Sequence, residues 1–395
     1  MKAYCAICLV LTLVALVILP AMAVTKPPAE PKADSPGKVW VFVGTYTGPK
    51  SKGIYRLEMD PRTGALSEPE LAAESPSPSF LAIHPSHKFL FAVGEVGEFA
   101  GKKNTGGVVA FSLDPASGEL KPLNRKASEG AGPCHLVVDS AGKHVLVANY
   151  GGGSAAVLPI GDDGKLEEAS ATVQHLGNSV NKARQSEPHA HSINLDKANH
   201  FAFVADLGLD RVMIYRFLSD KGGLAKNDPA SVAITPGSGP RHFAFHPDGK
   251  HAYVINEMAN TITVCDYDPD AGALTTTQTI STLPKTFTGD SSTAEVVVHP
   301  SGKFVYGSNR GQNSIAVFQV DPKTGKLTAA GHQGKDIKTP RNFNIDPSGK
   351  FLVVANQDGD SLIVFAIDQE TGALEPTPHK AKVGTPVCVK FVEKK

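Results

Sequence analysis

Short apolar runs recur along this chain, each set between a polar turn and a glycine, asparagine or aspartate. They sit in "HPSHKFLFAVGE" at 84, "DSAGKHVLVANY" at 139, "DKANHFAFVADL" at 196, "HPDGKHAYVINE" at 246, "HPSGKFVYGSNR" at 299 and "DPSGKFLVVANQ" at 346. The anchors are spaced 55, 57, 50, 53 and 47 residues apart, so the chain is a repeat. Each run predicts a strand, and the Gly, Asn or Asp closing it suits a tight hairpin. A second strand follows, as in "NTITVCDYD" or "NSIAVFQVD", then a "DPxTGxL" turn such as Asp321-Pro322-Lys323-Thr324-Gly325. Upstream of each anchor lies another short strand, often opened by Gly-Pro or Thr-Pro: "GPCHLVV", "GPRHFAF", "TPRNFNI". With a fourth strand after the "TGxL" turn, the unit is a four-stranded antiparallel propeller blade.

A seventh blade is split between the two ends of the chain. "KVWVFVGTYT" at 38–47 matches "KHAYVINEMA" position for position but has no inner strand before it. "GTPVCVKFV" at 384–392 reads as that missing strand, so the C-terminus is expected to close the ring on the N-terminal blade and remove two open edges. The 357 residues from 39 to 395 then divide into seven blades of 51. The expected fold is all-β, a seven-bladed propeller spanning 39–395.

Antiparallel geometry puts the start of each inner strand and the end of the next strand at one edge, and the "HPxGK" turns at the other. His84, His246 and His299 are therefore turn residues. At the first edge the copies differ. Inner strands open with Ser79-Phe80, Cys134-His135, His191-Ser192, Arg241-His242, Ala294-Glu295, Arg341-Asn342 and Val387-Cys388. The neighbouring strands close with Thr45, Glu95, Tyr150, Leu207, Glu257, Arg310 and Gln357. A position filled differently by each copy does not serve the repeat's packing. Charge and imidazole gather there on the blades entered at 187, 239, 292 and 339. The loop "VQHLGNSVNKARQSEP" before His189 is longer than its counterparts, and it carries Arg184. A long loop beside a polar pocket reads as a lid or substrate-contacting arm. His135 and His242, on the alternate side of their strands, read as blade packing or as residues that support the site from behind.

Charge is balanced, 39 basic against 39 acidic residues, which argues against a nucleic-acid partner. Lys2 precedes an apolar run ending in Ala21-Met22-Ala23, the layout of a secretory signal peptide over 1–23. A Pro-rich linker follows over 24–38. The mature chain is thus expected to be exported, with no stable membrane insertion after cleavage. Cys134, Cys265 and Cys388 show no metal-ligand spacing and read as small buried residues. The His189-x-His191 pair could share a metal on a strand, but no nearby Cys or acidic ligand completes a set. No metal and no cofactor are expected.

The strings "VGTYT", "SKGIYRLEMDPRTGAL", "GPCHLVVDSAGKHVLVANYGGG", "RQSEPHAHS", "GPRHFAFHPDGKHAYVINE" and "HPSGKFVYGSNRG" resemble the seven-bladed lactonase family. That family includes propeller-type 6-phosphogluconolactonases and the fungal carboxymuconate lactonizing enzyme. The resemblance implies hydrolysis of a small-molecule sugar lactone, with His191 (or His189), Arg241, Glu257 and Arg310 as catalytic residues. His189, Glu295, Arg341 and Arg184 are the expected substrate contacts. Lactone opening requires a base for water and positive charge for the oxyanion, tasks suited to imidazole and guanidinium. For Glu257 the alternative is a salt bridge with Arg241 or Arg310 that only closes the channel mouth. Two other functions stand beside hydrolysis, a non-catalytic exported propeller that binds a ligand or protein, and a muconate-type cycloisomerase.

Overall fold

A computed structural model of the chain describes Met1 and residues 37–395. The expected signal peptide and all of the linker before Gly37 lie outside the described residues, Met1 apart. Among the described residues no helix is long and apolar enough to cross a membrane. Seven four-stranded antiparallel sheets form the ring of blades. Their inner strands, for blades one to seven, are Pro386–Glu393, Leu81–Ile83, Pro133–Val138, Ala190–Leu195, Pro240–Phe245, Ser292–Val298 and Pro340–Ile345. The ring closes as expected: Val39–Thr45 pairs with the C-terminal strand from Val39↔Glu393 to Thr45↔Pro386.

The apolar runs become the second strands, which are buried along almost their whole length because each blade is covered by its neighbours on both faces. Phe201–Asp206, His251–Asn256 and Phe351–Asn356 expose no residue. The core is therefore a set of inter-blade layers. Between blades four and five, Phe203 stacks on Phe243 at 5.4 Å and meets Phe245 and Tyr267 edge-on. Each such ring contributes about 2–3 kcal/mol by burial.

The "HPxGK" histidines do more than shape turns. Nε2 of His84, His246 and His299 lies 2.8 Å from the carbonyl of Gly142, Gly302 and Gly349 respectively, locking each turn to the next blade. All three sit on the face away from the varied positions.

One feature of the inner strands positions the site. In blades three, four, five and seven the register skips one residue: Cys134, His191, Arg241 and Arg341 have no ladder partner. Blade one skips Val387 in the same way. A bulge of this kind breaks the two-residue alternation and re-aims the side chain. Consecutive residues such as Arg241 and His242 then both face the central channel.

Candidate active site

The bulged residues of several blades meet in a narrow pocket at the channel mouth. His191, Arg241, His242 and Arg341 line it, with Tyr46 and Glu95 on the wall of blades one and two. Of the four expected catalytic residues, the structure brings His191 and Arg241 to this wall. Glu257 and Arg310 stand behind Arg241 as its supports.

Glu257 is the hub of that support. One of its oxygens accepts from Arg241 Nε at 3.0 Å and lies 2.9 Å from Arg310 Nη2. The other accepts from Arg184 Nη2 at 2.7 Å. Burial pushes the Glu257 carboxyl up, but Arg241, Arg310 and Arg184 outweigh it and hold it near 2. Glu257, expected as a catalytic residue, is therefore a paired anion, and the salt-bridge alternative describes its contacts. Arg241 Nη1 also donates to Ala294 O at 2.6 Å and Arg310 Nη2 to Thr293 O at 2.7 Å. Burial and the Arg241 charge press Arg310 down to about 10. Both arginines are held rigidly, at a position where a Lys would lose the fork.

Arg341 contrasts with them. Its guanidinium packs over the Tyr46 ring at 5.2 Å, and among the described residues no carboxylate or hydrogen-bond acceptor pairs with it. Tyr46 donates to Glu95 at 3.0 Å, and Ser79 also donates to that carboxylate.

The two histidines of "PHAHS" divide. His191 is the bulge residue and is buried. Burial, then Arg241, His242 and Arg341, hold its imidazole well below its ordinary range, so it is neutral at pH 7. Its Nδ1 lies 3.7 Å from Cys134 Sγ, a thiol that burial raises and keeps protonated. His189 sits outside it, stacked on Tyr150 at 4.5 Å with Nδ1 3.1 Å from the Tyr150 carbonyl. This geometry gives the channel position to His191. Among the described residues the one three-ligand group within reach of a single ion is His246, Asp248 and His251, on the opposite face. There His246 gives Nε2 to its inter-blade lock, and its Nδ1 accepts the Asp248 amide at 3.2 Å.

The long loop is pinned across the mouth. Ser179 Oγ donates to Asp210 Oδ2 at 2.6 Å, Gln185 Nε2 donates to Leu207 O at 2.8 Å, and Arg184 reaches Glu257. It acts as a fixed arm that delivers a cation, with Arg184 still 44% exposed.

One layer below the rim, Glu295 is buried, and its partners are protein groups. His242 Nδ1 lies 2.7 Å from Glu295 Oε1, and Asn342 Nδ2 donates to Oε2. The Glu295 expected as a substrate contact is thus one layer too deep. His242, read as blade packing or as a support behind the site, lies in the pocket lining itself. The repeat comparison also missed Tyr46, which falls one residue past the rim position that the copies define.

A family model described as "Lactonase, 7-bladed beta-propeller" matches residues 40–391. A 6-phosphogluconolactonase of Bacillus subtilis strain 168 is 37% identical over 351 residues, covering 89% of this chain and 97% of the relative. A 6-phosphogluconolactonase of Formosa agariphila is 34% identical, covering 78% of this chain and 86% of that protein. Among solved structures, a periplasmic gluconolactonase of Pseudomonas aeruginosa superimposes with a TM-score of 0.85 at 32% identity, covering 91% of this chain and 100% of that one.

Proposed function

The chain belongs to the seven-bladed β-propeller lactonase family, and we propose that it opens a sugar lactone in the pocket bounded by His191, Arg241, His242 and Arg341. It is a hydrolase of lactone esters. The observation that carries the site assignment is Arg341, a cation at the pocket wall with no anion of its own. Glu95 and Glu257 act on this half-buried guanidinium only from a distance, so its donors are left for a ligand that brings negative charge. A carbonyl oxygen that becomes an oxyanion supplies it, and so does an acidic substituent on the sugar.

The chemistry proceeds in two steps. Water adds to the lactone carbonyl carbon, its proton passes to a base, and the carbonyl electrons move to oxygen beside Arg341 and Arg241. Collapse of that intermediate breaks the bond to the ring oxygen, which takes up a proton and leaves as a hydroxyl. Glu257 and Arg310 fix Arg241 in place, so the donor is already oriented when charge develops. Neutral His191 contributes a hydrogen bond to the lactone oxygens.

Arg184, Arg241, Arg310 and Arg341 face Glu257 and Glu95, an excess of two positive charges around the rim. The excess favours a lactone bearing a phosphate or carboxylate. The N-terminal leader pattern supports export of the mature enzyme. The test measures hydrolysis of 6-phosphogluconolactone and gluconolactone by the mature chain above the spontaneous rate. Higher kcat/KM for the phosphorylated ring is the expected result. No turnover of either lactone would refute the assignment.

A further inference from the structure

The hydrolysis proposed above needs a base, and the rim offers a poor one. Burial, Arg241 and Arg341 oppose a positive charge on His191 and on His242 alike, but His191 has no carboxylate to offset them and its Nδ1 faces a protonated thiol. His242 is placed differently. We propose that His242, oriented by Glu295, is the general base that takes the proton from the attacking water. This inference rests on the lactonase reading.

Three consecutive blades fill the equivalent position with His242, Glu295 and Asn342, and these three side chains bond in series. Glu295 Oε1 accepts from His242 Nδ1 at 2.7 Å and from the Val296 amide at 3.0 Å. Its other oxygen accepts from Asn342 Nδ2, and Asn342 Oδ1 accepts the Val389 amide at 2.8 Å. The carboxylate is thereby fixed, and with Nδ1 donating to it, His242 presents an unprotonated Nε2. Among the described residues nothing bonds that nitrogen, and His242 lines the same pocket as His191, Arg241 and Arg341. A base oriented by a third group is the arrangement nucleophile activation requires. Around His242 stand His135 at 5.3 Å, His191 at 5.3 Å, Phe80 at 5.8 Å, and the charges of Arg241, Arg341 and Glu295.

The molecule contains its own control. His175 and Asp206 form a second buried pair, with Nδ1 2.6 Å from Oδ2. There Nε2 is sealed away from solvent with no partner, and the pair lies between blades rather than in the channel. That pair can only hold structure. His242 has the same carboxylate anchor but lines the narrow pocket at the channel mouth.

The proton balance is complete. As the water oxygen bonds to the carbonyl carbon, its proton moves to His242 Nε2, and the imidazolium is stabilised by Glu295. On collapse the same proton passes to the departing ring oxygen, so His242 is neutral again. The product is the hydroxy acid, whose carboxyl proton is lost to solvent. Glu295 is a positioning residue that keeps its charge throughout.

The test uses the full mature chain and measures kcat, KM and the pH profile of kcat/KM. His242→Gln is expected to lower kcat on the order of 100- to 10,000-fold. Glu295→Gln is expected to lower kcat less, leave KM within about twofold and move the acid limb to lower pH, because an anion stabilising the imidazolium is gone. A purely structural role for Glu295 would not move that limb. His242→Gln with the parent's kcat overturns the proposal. If that variant fails to fold, Glu295→Gln with unchanged kcat and limb overturns it instead. A parent that turns over no lactone removes the lactonase reading and this inference together, whereas an active parent with unaffected variants removes this inference alone.

Discussion

Three guanidinium groups converge on the Glu257 carboxylate, while Arg341 has no such partner, and this asymmetry assigns different roles to residues of one type. Removing the hub strands several buried charges. Glu257→Gln is therefore expected to cost roughly 3–5 kcal/mol of stability, as loss of one partner from a buried pair does. Arg341→Ala breaks no side-chain hydrogen bond or salt bridge among the described residues and removes its packing on Tyr46 and a distant attraction to Glu95 and Glu257. It is expected to leave the melting temperature within a few degrees but to raise KM on the order of 10- to 100-fold, the loss of one charged hydrogen bond to substrate. Thermal melts and steady-state kinetics on both variants check this. If Arg341→Ala keeps the parent KM, its guanidinium does not face substrate. A melting temperature that falls further for Arg341→Ala than for Glu257→Gln would reverse the two roles.

At the scale of the strand, the bulge decides which side chains reach the channel. The copies make the rim positions readable, because a repeat whose equivalent residues differ is not using them for packing. His191, Arg241 and Arg341 are found on that logic, together with the order of blades and the closing strand. What the pattern does not carry is the bulge itself. Strict alternation places His242 on the wrong side of its strand, and an extra unpaired residue brings it back. The pairing of Glu257 is equally hidden, because it depends on Arg310 from the next blade and Arg184 from a long insertion. The insertion also explains why one copy carries aspartate where four carry asparagine and two carry glycine. Asn149, Asn256, Asn309 and Asn356 end their strands bonded to a Ser or Thr across the hairpin. In blade four Asp206 stands there, and its Oδ1 accepts the amides of His189, Gly208 and Leu209 at 2.8, 3.0 and 3.1 Å. Gly208 passes so close beneath the insertion that a Cβ would lie 1.9 Å from the Glu187 carbonyl oxygen. Asp206→Asn would return the repeat's residue, yet an amide supplies one acceptor oxygen where a carboxylate supplies two. The variant is expected to lose about 1.5–3 kcal/mol, and KM is expected to rise more than kcat falls as Arg184 is released. Faster proteolysis within 176–188, beside the melts and kinetics, reports the loosened arm. Unchanged melting and KM would leave Asp206 as an ordinary copy of the repeat.

The ring joins these local devices into one object, because its last strand belongs to its first blade. Pro386–Glu393 contributes Val389 to one inter-blade layer and Cys388 and Val392 to another, all almost wholly buried. The same strand supplies Val387 to the pocket wall and Lys390, whose Nζ lies 4.6 Å over the Phe80 ring in the channel. Its Val389 amide holds Asn342, which holds Glu295 and through it His242. Fold closure and site assembly therefore depend on one element. Deleting residues 384–395 would leave the inner edge of Val39–Thr45 unpaired, a template for association, and uncover the apolar face of blade seven that packs on this strand. The truncated chain is expected to aggregate or to lose cooperative unfolding, and to lose lactone turnover with it. Size-exclusion chromatography, calorimetry and the lactone assay on the truncated and full mature chains test the dependence. A soluble truncation with the parent's melting temperature would refute closure by the C-terminal strand, and one that unfolds cooperatively but has no activity would confine the strand's role to the pocket.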